Sequence, residues 1–211
     1  MLYCQLQASP FCSLSFDEFC SNKKAINLLT KRVDLLKKSK GKELIWILEH
    51  PLTFTAGIRS KDEEILDKKI KIIKTNRGGK ITLHNPGQKI IYFALNLNNR
   101  KKDIRNLVKQ IEISIIDFLK YFKIKSHADR DNIGIWVNGK KIAAIGIRVT
   151  NWIAYHGCSI IVSNSLEPYK KIIPCGLNNS DITSVENESK VKNVNINQLL
   201  KKIFIKNLKN I

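Results

Sequence analysis

Between Asp103 and Phe122 apolar residues return every three or four positions, at Ile104, Leu107, Val108, Ile111, Ile115, Phe118, Leu119 and Phe122, which predicts an amphipathic helix with one buried face. A second helical period, Phe19, Ile26, Leu29, Val33 and Leu36, follows the capping-box pattern Ser15-Phe16-Asp17-Glu18 and runs toward a stop at Gly41. Ile196 to Leu208 reads as a Lys-rich third helix. Short β-type runs lie at Glu43 to Glu49, Ile70 to Lys74 and Lys89 to Leu97. Ile133 to Val137 and Lys141 to Val149 flank Asn138-Gly139, which predicts a β-hairpin closed by a type I′ turn, and Trp152 to Val162 adds a third strand to it. Pro168, Pro174, Gly176 and Asn178-Asn179-Ser180 mark a long irregular segment before the last helix. With no repeat and no linker, residues 1–211 read as a single α+β domain, a mixed β-sheet flanked by helices.

Composition narrows the functional classes. The 43% of hydrophobic residues suffices for one core in a chain of 211. The longest apolar runs, Leu44 to Leu48 and Ile90 to Leu95, are too short to span a bilayer. The first twenty residues have no basic start and contain Asp17 and Glu18, so no secretory signal is expected and the protein is placed in the cytoplasm. Five cysteines, Cys4, Cys12, Cys20, Cys158 and Cys175, form no CxxC pair, which predicts free thiols and no zinc site. The net charge of +19 suggests nucleic acid or an anionic membrane, but the lysines are spread along the whole chain among many Ile and Asn residues, the mark of AT-rich codon drift. No zinc-finger spacing, RNP-type aromatic motif or basic heptad accompanies them, so neither nucleic acid nor membrane is expected as a partner. The charge would still steer an acidic protein toward the surface.

Three segments depart from what packing alone requires. Arg77-Gly78-Gly79-Lys80-Ile81-Thr82-Leu83-His84-Asn85-Pro86-Gly87-Gln88 crowds three glycines, an Arg and a His into twelve positions, and glycines let backbone N–H groups approach a ligand. In Asn138-Gly139-Lys140-Lys141-Ile142-Ala143-Ala144-Ile145-Gly146, strand alternation puts Lys141 on the face of Ala143 and Ile145, with Ala144 and Gly146 opposite; the small residues leave room beside the lysine. Ile173-Pro174-Cys175-Gly176 holds a cysteine on an irregular segment, where reactive groups tend to be displayed, whereas Cys158 falls within a strand and suits a structural role.

In order and spacing, RGGKITLHNPGQ, NGKKIAAIG, YHGCS and PCG resemble the signature segments of the lipoyl(octanoyl) transferases, and the preceding EHPLTFTAG resembles the opening of that family's core; the likeness runs from about Glu49 to Ser184. The resemblance implies a fold similar to the catalytic domain of biotin and lipoate protein ligases. It implies that Cys175 is the acyl-thioester nucleophile and Lys141 its lysine partner. Arg77, Gly78, Gly79, Lys80, Ile81, Thr82, Leu83, His84, Ala144, Ile145, Gly146, Gly157, Cys158 and Ser159 then fall where the family lines its acyl pocket. Asn85 stands where the family usually has Gly and Leu83 where an aromatic is common, which bears on the pocket's shape. The implied reaction moves octanoyl from acyl carrier protein to a lysine of lipoyl domains, those of 2-oxoacid dehydrogenase complexes and of the glycine cleavage H protein, with a monomeric enzyme and with neither ATP nor metal. The alternatives are an ATP-dependent lipoate–protein ligase, which shares the fold and the lysine, and a Cys–His hydrolase using His84 or His156.

The chemistry sets a requirement on Lys141. A cysteine with an ordinary pKa of about 8.5 is only about 3% thiolate at neutral pH, and lowering that pKa by about two takes roughly 2.7 kcal/mol. One ammonium at about 4 Å provides about 4 kcal/mol at an effective dielectric near 20, so a single placed lysine suffices. Once the cysteine is acylated the ammonium has lost its anion and can release its proton, leaving an amine able to accept one from the attacking lysine.

Overall fold

The computed structural model describes residues 11–174 and 181–211. The chain runs β1 (Phe11–Phe19), α1 (Asn22–Lys37), β2 (Glu43–Glu49), β3 (Thr53–Ala56), β4 (Ile72–Lys74), β5 (Ile81–His84), β6 (Gln88–Asn96), α2 (Ile104–Tyr121), β7 (His127–Asp129), β8 (Gly134–Val137), β9 (Lys140–Thr150), β10 (Ile153–Ile161), α3 (Val185–Glu188) and α4 (Ile196–Asn207). Seven strands form one mixed sheet in the order β1-β2-β6-β10-β9-β8-β7, and β4-β3-β5 form a second, smaller one.

Alternation along β2 and β6 divides the main sheet into two apolar faces. Ile45, Ile47, Ile91, Phe93 and Leu95 point toward α2 and α4, where they meet Leu107, Ile111, Ile115, Phe118, Leu200 and Phe204. Leu44, Trp46, Leu48, Ile90 and Ala94 point the other way, onto Ala25, Leu29, Val33 and Leu36 of α1. The periodicity of α2 thus predicted its buried face, and Asp103 caps it by accepting from the N–H of Asn106 at 3.0 Å. The smaller sheet packs its Phe54, Ile81 and Leu83 against Tyr169, Ile172 and Ile182.

The first helix begins later than the capping-box pattern indicates. Residues 11–19 are strand, paired parallel with β2 from Phe11↔Glu43 to Ser15↔Ile47, and the cap is Ser21, whose hydroxyl accepts from the N–H of Lys24. Pairing along the sheet edge satisfies a whole row of backbone groups, more than one local cap can. Asn138 and Gly139 both have positive φ, 50° and 76°, as a type I′ turn requires.

Candidate active site

The centre of the main sheet is hollow on the α1 side. Across β9, β10 and β6, Ala144 pairs with Ser159 and Ser159 with Ile90, while Gly146 pairs with Gly157 and Gly157 with Tyr92. Where β6 places Ile90 and Tyr92, these positions carry little or no side chain. The resulting cleft spans about 580 Å³, its open mouth included, and is walled by the loop after β4, by β5 and by the start of α1. A second cavity of about 320 Å³, its open mouth included, adjoins it and shares Thr82, Ala144 and Ser159 with it; Lys141, Ala143, Ile161, Tyr169, Pro174 and Ile182 complete its lining. A third hollow, containing Arg59, Lys80 and Ile133, meets both at Ala144.

Close backbone packing fixes the glycine-rich loop over this floor. The N–H of Gly78 donates to the carbonyl of Ile147 in β9 at 3.3 Å, and a Cβ on Gly78 would stand 2.8 Å from that oxygen. Arg77 folds back, its guanidinium donating to the carbonyls of Gly78 and Thr55 and to the Thr55 hydroxyl at 2.8–3.0 Å. Arg77, Gly79, Lys80, Thr82, His84, Ala144, Ile145, Gly146, Gly157, Cys158 and Ser159 all line the larger cavity. Gly78, Ile81 and Leu83 do not: Gly78 packs on the backbone of β9 at Ile147, and Ile81 and Leu83 alternate away from Thr82 and His84 into the core of the smaller sheet. Asn22, Ile26, Thr55, Thr75, Tyr92 and His156 also line it, and of these only His156 had drawn notice in the sequence. A tyrosine inside the apolar run of β6 was the one available signal for Tyr92.

Lys141 does not face the way simple alternation requires. Trp136 pairs with Lys141 and Ile135 with Ala143, so Ile142 is an extra residue, a β-bulge. Ile142 and Ala143 consequently both pack into the core under α2, and Lys141 shares its cavity not only with Ala143 but also with Ala144, the residue expected on the opposite face. The lysine is buried, at 7% exposure, and its Nζ donates to the carbonyl of Ile133 at 2.8 Å. Its own carbonyl accepts from the N–H of Thr183 at 3.0 Å, and its backbone bridges to Ile182. Cys175 lies outside the described residues.

The histidines at the cavity are held neutral. His84 Nδ1 is 2.8 Å from Gln88 Oε1, and Gln88 Nε2 donates in turn to the Tyr169 hydroxyl, so the His84 proton sits on Nδ1. Burial, with nearby His50 and Arg77, depresses its pKa to about 3. Burial, with Arg77 and Arg148, takes His156 down to about 4, and its Nε2 contacts Asn76 Oδ1 at 2.6 Å. Imidazoles that give up protons so readily are poor bases for a thiol, which weighs against a Cys–His hydrolase. Burial pushes the Cys158 thiol up, so it stays protonated and unreactive.

Residues 24–208 match the family described as the lipoyl protein ligase A/B catalytic domain. An octanoyltransferase of Wolbachia sp. subsp. Brugia malayi is 40% identical over 196 residues, 90% of this chain and 96% of that protein. An octanoyltransferase of Rickettsia rickettsii is 41% identical over 180 residues, 82% and 86% of the two chains. This chain belongs to the octanoyltransferase family. As a family member it is an acyltransferase, and the resemblance read from its motifs holds over nearly its whole length. Among solved structures, a lipoate-protein ligase A bound with ATP superposes with a TM-score of 0.74 at 13% identity over 96% of this chain and 86% of that one. A biotin acetyl coenzyme A carboxylase synthetase from Helicobacter pylori gives 0.53 at 13% identity over 94% and 73%. The α+β fold of the lipoate and biotin ligases is thereby shared. Among the described residues no helix is long and apolar enough to cross a membrane.

Proposed function

We propose that this octanoyltransferase takes its acyl group from octanoyl-acyl carrier protein, holds it as a thioester on Cys175 and passes it to a lysine of a lipoyl domain, with Lys141 serving both halves of the reaction. One observation carries the reading. The described residues on either side of the segment 175–180 both meet Lys141: Pro174 lines its cavity, and Ile182 and Thr183 are bonded to its backbone. Pro174, which precedes Cys175 in the sequence, is thus part of the wall of the lysine's cavity.

In the first half-reaction the Cys175 thiolate attacks the thioester carbonyl, the carrier's sulfur leaves as a thiolate and takes a proton, and the acyl chain extends over the bare floor of Ala144, Gly146, Gly157 and Ser159. In the second, the amine of the acceptor lysine attacks, Lys141, left neutral after giving its proton to the carrier's sulfur, accepts the amine's proton, an amide forms and Cys175 leaves as the thiolate beside the restored ammonium. Exchanging a thioester for an amide is downhill, so the sequence balances without ATP or metal. Acceptors are the lipoyl domains of 2-oxoacid dehydrogenase complexes and the glycine cleavage H protein.

Incubation of the protein with octanoyl carrier protein, followed by intact-protein mass spectrometry, tests this. The wild type gains one octanoyl group, and Cys175→Ser, with folding retained, gains none. An undiminished adduct in Cys175→Ser would refute the assignment. Turnover on free octanoate plus ATP, with none on octanoyl carrier protein, would convert the reading to a ligase.

A further inference from the structure

We infer that Gly134 and Trp136, on the strand beside Lys141, form a seat that fixes the lysine's Nζ in its cavity-facing position, and are therefore positioning residues of the transfer. The inference rests on the assignment of Lys141 as partner of the reactive thiol. Three surfaces close on the side chain. Its stem crosses the backbone at Gly134, where φ is +153°; a Cβ there would overlap Lys141 Cε, stand 3.0 Å from Nζ and 2.7 Å from the carbonyl oxygen of Ala143. Its Nζ donates to the carbonyl of Ile133 and lies 5.6 Å from the ring centroid of Trp136. Trp136 is itself buried, at 7% exposure, and is fixed by its Nε1–H donating to the carbonyl of Asn132 at 2.9 Å.

These contacts hold the amino group in one place. A buried charge needs compensating partners, and a carbonyl dipole and a desolvated indole face both attract a cation without neutralising it. Two carboxylates face the lysine from the neighbouring β7–β8 segment: Asp131 lines the third hollow with it, and Asp129, which feels its charge, is held by the N–H groups of Asp131 and Asn132. The bulge at Ile142 brings Lys141 opposite Trp136, and the missing side chain at 134 gives the stem its passage.

The rate at which iodoacetamide alkylates Cys175, followed by peptide mapping between pH 5.5 and 9.5 on the full chain, reads the thiolate fraction. Trp136→Leu should slow alkylation at pH 7 by about threefold to tenfold and move the profile to higher pH, while Trp136→Phe, which also loses the bond to Asn132 but keeps a π face, stays within about twofold of wild type. Gly134→Ala should approach the profile of Lys141→Met. Should Gly134→Ala fail to fold, the Leu and Phe pair at 136 decides alone. A shifted profile in Lys141→Met with a wild-type profile in Trp136→Leu overturns the seat and leaves the lysine's role standing. An unchanged profile in Lys141→Met overturns both.

Discussion

Mild acid should destabilise this protein well before its carboxylates titrate, because two cavity histidines are neutral in the fold. In the unfolded chain each has a pKa near 6.5; in the fold His84 lies at about 3 and His156 at about 4. Below pH 6.5 the unfolded state therefore binds protons that the folded state refuses, so stability present at neutral pH falls as pH drops toward the folded values. At pH 5 nearly every unfolded imidazole is charged, and each residue costs about 2 kcal/mol, about 4 kcal/mol together. Both side chains are buried, so solvent screens little of this. Against a typical total of about 5–15 kcal/mol the loss is large. Urea denaturation at pH 7.5, 6.0 and 5.0 measures it. The part of the difference between pH 7.5 and 5.0 due to these two residues should be about 4 kcal/mol in wild type, about half that in His84→Asn or His156→Asn, and absent in the double variant, where buried His50 still resists protonation. Equal losses in wild type and the double variant would refute the attribution, as would a flat profile in wild type.

Ala144 lines all three hollows, so Ala144→Ile should close the passage between them: adduct formation from octanoyl carrier protein falls at least about tenfold, while a butanoyl donor, compared in the same mass assay, loses less. A methyl on Gly78 meets the fixed carbonyl of Ile147, so Gly78→Ala should lift the loop from β9 and reduce kcat/KM by about tenfold with little change in circular dichroism. Phe204→Ala, in the core between α4 and the sheet and remote from the cavity, should cost about 3–5 kcal/mol by denaturant titration yet leave the rate of adduct formation at low temperature unchanged.

Elements whose own residues determine them were legible in the sequence. The limits of β2, Glu43 and Glu49, are those of its apolar run, and α2 follows its period to within a residue at each end. The smaller sheet was harder to read because β3 and β5, four residues each, gain strand character from pairing Phe54 with Leu83 and Thr55 with Thr82 across an intervening chain of some length. β1 was hidden by a capping-box motif that is chemically sound but loses to a parallel partner more than twenty residues away, although Cys12-Ser13-Leu14-Ser15-Phe16 alternates as a strand should. At the site, the motif residues were visible but their directions were not. A bulge of one residue at Ile142 reverses the phase of everything before it, and only the register with β8 shows it. Asn22 and Tyr92 reach the cavity from elements with no chemical signature of their own.

The small residues at the sheet's centre tie fold to function more closely than the motifs do. Central strands favour branched and aromatic side chains, and a glycine there is unfavourable by about 0.5–1 kcal/mol against alanine, before any lost packing. Here Gly146 faces Gly157 and Ala144 faces Ser159 in the middle of a seven-stranded sheet. Part of this is imposed by the backbone, since a Cβ on Gly157 would overlap the carbonyl oxygen of Ile91, and His156 beside it adopts φ +68°, a left-handed conformation strained for any residue with a side chain. That kink aims the imidazole of His156 into the cavity that Gly157 leaves open. Strain and lost packing on adjacent residues converge on one hollow, and the strand that forms its floor also carries Lys141. On the proposed reading, an acyl chain laid there would restore the missing contacts at about 0.8 kcal/mol per buried methylene, so that the substrate would fill the gap in the core that its own binding site requires.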